Sequence, residues 1–113
     1  MHGPAPEVNV DAVPAEGLLL DVREDDEWAA GHAEDALHIP MSDFVNRFGE
    51  LTERLEDDQR VYVVCRAGGR SAQVTQYLRA QDIDAVNVDG GMLAWAAAGR
   101  QLVAPEGTDP SVL

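Results

Sequence analysis

Cys65, Arg66, Arg70 and Ser71 fall within one short segment, Cys65-Arg66-Ala67-Gly68-Gly69-Arg70-Ser71, and Cys65 is the only cysteine of the chain. A thiol acts as a nucleophile through its thiolate, which backbone N–H groups, helix N-termini and nearby cations all favour. The segment follows the apolar run Val61-Tyr62-Val63-Val64 and precedes a helical pattern from Ala72 to Ala80. Strand, thiol, glycine-containing turn and helix therefore come in that order. Gly68 and Gly69 allow dihedrals that larger residues resist, so loop amides, including that of Ala67, can converge on one small volume. The positive end of the following helix adds to the same field. An anion bound to the sulfur would share that stabilisation. Ser71 is a candidate to donate to the sulfur or to cap the helix. Arg66 and Arg70 flank the same turn and make it a local positive site, each with a rigid fork of donors. For Arg70 the competing role is a clasp over the loop backbone. The loop holds no histidine or carboxylate to serve as a general base, so electrostatic stabilisation is the simpler account of reactivity. A buried, inert cysteine is the plainer alternative. That role suits Val64 better than a residue followed by Arg66.

The elements that must hold this loop are short. Val8 and Val10 suggest a first strand. Leu18-Leu19-Leu20, continued by Asp21-Val22, reads as a buried strand of a parallel sheet covered on both faces. Glu24 to Gly31 reads as a short helix with acid in its first turn and glycine at its end. Ala36 to Ile39 suggests another strand, stopped by Pro40. A helix then starts at Met41 or Ser42 with Phe44, Val45 and Phe48 as its apolar positions. A second short helix is expected over Glu50 to Leu55. Val61 to Val64 is the clearest strand, and Ala72 to Ala80 the clearest helix, burying Val74, Tyr77 and Leu78. Ala85 to Val88 is a strand, Asp89-Gly90-Gly91 a turn, and Met92 to Ala98 a helix ended by Gly99. Alternating strands and helices imply one α/β layered domain. The tail after Arg100, with Pro105, Gly107 and Pro110, is expected to be poorly ordered at its end.

Composition narrows the function. The 113 residues suffice for one domain. No apolar run approaches the roughly 18 residues of a membrane span, and the start lacks the pattern of a signal peptide. One cysteine excludes an internal disulfide and a thiolate zinc site. The expected compartment is the cytoplasm, where a thiol stays reduced. Net charge is −13, from 21 acidic against 8 basic residues, the latter all arginine. A general nucleic-acid binder needs a basic face that this balance denies. His32 and His38 lack a third ligand cluster for a metal. Gly90-Gly91 belongs to no Gly-x-Gly-x-x-Gly motif, and without lysine there is no P-loop.

Several separated segments resemble the rhodanese-like sulfurtransferase family. Cys65 to Ser71 resembles its active-site loop, with the nucleophile first. Leu20-Asp21-Val22-Arg23-Glu24, with Glu27-Trp28 and Gly31-His32, is similar to its N-terminal signature, completed by Ala36-Leu37-His38-Ile39-Pro40. Asp89-Gly90-Gly91-Met92, with Trp95 and Gly99, resembles its C-terminal one. The resemblance implies a catalytic domain over residues 6–103, built as a three-layer α/β fold with a central parallel sheet, and a flexible tail over 104–113. It implies a single-domain sulfurtransferase in which Cys65 takes sulfane sulfur from thiosulfate or a related donor as a persulfide. A thiol, cyanide or protein acceptor then removes it. It implies no metal, flavin or nucleotide cofactor, and no nucleic-acid or membrane partner. Arg66 and Arg70 would bind the donor. Asp21, Arg23 and Glu27 would support the active face, and the four-residue spacing by itself pairs Arg23 with Glu27. Trp28 and Trp95 are assigned to packing.

Two other functions remain. Cysteine phosphatases and arsenate reductases space cysteine and arginine by five residues. Here Arg70 follows after four, which makes a smaller cradle. A non-catalytic interaction module is the other, although such modules often lose the cysteine that this chain keeps.

Overall fold

The computed structural model describes residues 4–113. Five parallel strands form one sheet in the order β1-β5-β4-β2-β3. They are β1 (Glu7–Val8), β2 (Leu18–Asp21), β3 (Leu37–His38), β4 (Val61–Val64) and β5 (Ala85–Val88). The helices are α1 (Asp25–Ala30), α2 (Phe44–Arg54), α3 (Gly69–Ala80) and α4 (Gly91–Ala97), with 3-10 turns at Val10–Ala12 and Met41–Asp43.

The central strands β2, β4 and β5 are short, apolar and almost wholly buried, as a parallel sheet covered on both faces requires. Their side chains alternate between two cores. Leu18, Leu20, Val61, Val63 and Ala85 pack with Phe44, Leu51, Val74 and Leu78 of α2 and α3. Leu19, Val64 and Val88 pack with Val10, Val13, Met92 and Trp95 on the opposite face. Cys65 continues the parity of Val61 and Val63 and joins the α2–α3 core. The parity thus turns the thiol toward the face that α3 covers.

Several elements depart from the sequence expectation. Val10 opens a 3-10 turn rather than extending β1, because Asn9 caps that turn by accepting from the Asp11 amide at 2.9 Å. The two helices expected over residues 41–55 are a 3-10 turn followed by one continuous α2. Gly49 is accommodated inside that helix. Val45 faces solvent, 74% exposed, since its neighbour Phe44 takes the core position. Tyr77 stays at the surface, with its ring edge-on to Phe44 and Phe48. α3 begins at Gly69 rather than Ala72, so its first turn reaches the thiol loop.

After α4 the chain runs back along the domain. His32 and Val103 exchange both backbone hydrogen bonds, and the Ser111 amide donates to the Ala30 carbonyl at 2.8 Å. Val112 packs against the second core. Arg100 lies 4.0 Å over the Trp95 ring and donates to the Val10 and Val13 carbonyls, which ties the end of α4 to the N-terminal turn.

Candidate active site

Ligand sites of open parallel sheets lie beyond the carboxyl ends of the strands. Cys65 stands at that end of β4, buried and unpaired by disulfide. The loop closes over it at once. Gly68 adopts φ +117 as the N-cap of α3, and its N–H donates to Cys65 Sγ at 3.1 Å. Ser71, fully buried in the first turn of α3, donates its hydroxyl to the same sulfur at 3.2 Å. Thr75 in turn donates to the Ser71 carbonyl at 2.8 Å. Ser71 therefore acts on the thiol rather than capping the helix, because the α3 N-cap is Gly68. Gly69, expected to need glycine's freedom, does not: it has no positive φ, and a Cβ there meets open space.

These contacts decide the state of the thiol. Burial raises the Cys65 pKa. The Ser71 hydroxyl opposes it, followed by the N–H groups of Ser71, Gly68 and Ala67, and the sum lies below the ordinary thiol value. The alkylation rate of Cys65 with a neutral reagent is expected to inflect below the roughly 8.5 of a free cysteine. An inflection at or above that value would show that burial outweighs the donors.

α4 holds the loop from behind. The Met92 and Leu93 amides, which have no intrahelical partner, donate to the Cys65 carbonyl at 2.8 Å and the Arg66 carbonyl at 3.1 Å. Gly91 makes this approach possible. A Cβ on it would lie 2.4 Å from the Cys65 carbonyl oxygen, and its φ is +55. The sequence reading placed Gly90-Gly91 in a turn without giving it this task. Asn87 on β5 is a second omission: its amide nitrogen donates to the Gly68 carbonyl at 3.1 Å.

The charged residues pair differently from expectation. Arg23 does not pair with the Glu27 carboxylate. Its Nη2 binds Asp21 Oδ2 at 2.7 Å, both side chains wholly buried, and it donates to the Glu27 and Gly31 carbonyls. The reason is geometric. The four-residue rule needs both residues on one helix, but Arg23 precedes the α1 N-cap, Glu24. Between Asp21 and Arg23, the Val22 amide donates to the Val64 carbonyl, next to Cys65, at 3.0 Å.

Glu27 instead takes Arg70 in a two-pronged ion pair at 2.6 and 2.8 Å. The Arg70 guanidinium holds the Glu27 carboxyl down to about 2, although burial opposes this. This pair locks α1 to the first turn of α3. Arg66 is exposed on the loop, and its Nε donates to the Leu113 carbonyl of the tail.

The histidines have structural partners. The His32 and His38 rings both stack on Trp28, with centroids 3.6 and 4.4 Å away. Each ring bonds a backbone carbonyl, His32 Nδ1 to Trp28 and His38 Nε2 to Arg23, so those nitrogens carry the protons. Among the described residues no group of three or more His, Cys, Asp or Glu is placed to hold a metal ion. No helix there is long and apolar enough to cross a membrane.

Comparison with known proteins agrees with this fold. The rhodanese-like domain profile matches residues 8–98. The YtwF protein of Bacillus subtilis is 46% identical over 77 residues, covering 68% of this chain and 71% of that one. A protein of Allochromatium vinosum named sulfurtransferase is 42% identical over 91 residues, covering 80% and 81%. The crystal structure of a rhodanese-related protein from Thermoplasma volcanium superposes with a TM-score of 0.76 at 28% identity, covering 87% of this chain and 97% of that one. With the matched span running from the end of β1 to just past α4, and so including the thiol loop and the strands that carry it, this chain belongs to the rhodanese-like domain family.

Proposed function

We propose that this domain is a sulfurtransferase that carries sulfane sulfur on Cys65, with thiosulfate or a related compound as donor. The observation that carries the reading is the pair of donors on one buried sulfur, the Gly68 amide and the Ser71 hydroxyl. They stabilise the thiolate that attacks the donor and that leaves again when the acceptor takes the sulfur.

The Cys65 thiolate attacks the outer sulfur of thiosulfate. A new S–S bond forms, the bond to the sulfonate sulfur breaks, and sulfite leaves with the electron pair. An acceptor thiolate or cyanide then attacks the terminal sulfur, and the Cys65 thiolate leaves. No redox partner is required, and the site must only hold negative charge. A thiol of this kind must stay reduced, which suits the cytoplasm.

Phosphatase or arsenate reductase chemistry is less well supported. The arginine that would clasp a tetrahedral oxyanion, Arg70, already spends both terminal nitrogens on Glu27.

Thiosulfate treatment is expected to add one sulfur atom to the intact mass, removable by a thiol reductant. An unchanged mass would overturn the reading. The same measurement separates the loop arginines. Arg66 is the freer cation, so R66A should slow loading from thiosulfate by about 10- to 100-fold if its charge-assisted bond forms in the transition state. Alkylation by a neutral reagent should be nearly unchanged in R66A. R70A should slow both reactions, since it removes the Glu27 lock on the first turn of α3.

A further inference from the structure

Asn87 occupies the interior of β5, only 1% exposed. Asparagine is poorly suited to such a strand, where β-branched residues pack best. Its carboxamide nitrogen donates to the Gly68 carbonyl at 3.1 Å and to Glu7 Oε2 of β1 at 3.3 Å. Both partners are acceptors. Turning the amide over would set Oδ1 against a carboxylate and a carbonyl, so the orientation is dictated by the surroundings.

The consequence is that Asn87 Oδ1 is buried without a partner among the described residues. An unsatisfied buried acceptor destabilises a fold, whereas an apolar residue of the same shape would not. What the side chain contributes must therefore come through its nitrogen. That nitrogen holds the Gly68 carbonyl, which also accepts the first helical bond of α3, from the Ala72 amide at 3.1 Å. Gly68 is the residue held at φ +117 and the one whose N–H reaches Cys65 Sγ.

We propose that Asn87 is a positioning residue for the reactive thiol: it fixes the Gly68 backbone from the neighbouring strand so that the Gly68 N–H stays aimed at Cys65 Sγ. The Glu7 carboxylate steadies the carboxamide from the sheet edge. Asn87 makes no hydrogen bond to the sulfur and acts through Gly68. The inference deepens the sulfurtransferase reading, on which it rests for the thiolate's purpose.

The test is the pH dependence of Cys65 alkylation by iodoacetamide in the wild type, Asn87→Leu and Asn87→Thr. Leucine keeps the volume and removes the donor. Threonine suits a strand but is too short to reach Gly68. The charged groups of the surrounding elements remain the same in all three proteins: Arg66, the Arg70–Glu27 pair, the Asp21–Arg23 pair and Glu7. Loss of an aimed donor disfavours the thiolate, so the inflection should move upward by about one unit in the folded variants. Persulfide loading from thiosulfate should fall below the new inflection and recover above it, which a purely structural defect would not produce. An unmoved inflection in a folded variant overturns the proposal. Loss of the fold in both variants also overturns it, because Asn87 would then be a residue of sheet assembly. Alkylation reads the thiolate whether or not sulfur moves. A wild type with a low inflection that takes up no sulfur would overturn the sulfurtransferase reading and leave this inference standing.

Discussion

Cys65→Ser is expected to reduce sulfur transfer to background while the domain stays folded. A serine hydroxyl has nearly the shape of the thiol and can accept the same bonds from the Gly68 amide and the Ser71 hydroxyl. Its ionisation lies far above neutral pH, and it cannot form a persulfide. Burying a hydroxyl in place of a thiol, with donors already present, should change stability by no more than about 1–2 kcal/mol. Intact mass after thiosulfate treatment and turnover with cyanide measure the first effect, and urea denaturation the second. Transfer by C65S at a rate comparable to the wild type would place the sulfur carrier elsewhere. This chain has no other cysteine to provide one.

Gly91→Ala is expected to damage stability and activity together. The added methyl would meet the carbonyl oxygens of Cys65 at 2.4 Å and Arg66 at 2.6 Å, both backbone atoms that cannot swing aside. Overpacking of this kind costs about 1–3 kcal/mol. The positive φ adds about 1 kcal/mol or more for a residue with a Cβ. Relief of the clash must push the loop away from α4 and weaken the Met92 and Leu93 bonds that hold it. The loop amides then lose their aim at the sulfur, and loading from thiosulfate should fall by at least about tenfold for each aimed donor lost. Gly69→Ala is the matched control. It lies in the thiol segment itself, at the start of α3, where a Cβ meets nothing within 4 Å. Alanine there should be neutral or slightly stabilising, because it favours the helix. Equal losses in the two variants would mean that the loop is sensitive to any side chain, not to the contact with α4.

The sequence by itself determined the strand–thiol–turn–helix order around Cys65, the α/β class and the buried strands β2, β4 and β5. These follow from local signals: continuous apolar runs, glycine turns and helical spacing, each contained in a few neighbouring residues. The partners of the charged and polar residues were decided by the tertiary structure. Arg23 and Glu27 look like a helical pair in one dimension, yet the α1 N-cap lies between them, and Glu27 reaches Arg70 across the site. Gly91 reads as a turn glycine until α4 is laid against the Cys65 carbonyl. Asn87 reads as an ordinary strand residue until β5 is placed beside β4, which brings its amide to Gly68. Hydrogen bonds and ion pairs need segments far apart in the chain to meet at about 3 Å, within a few tenths of an ångström, and neither periodicity nor composition encodes that placement.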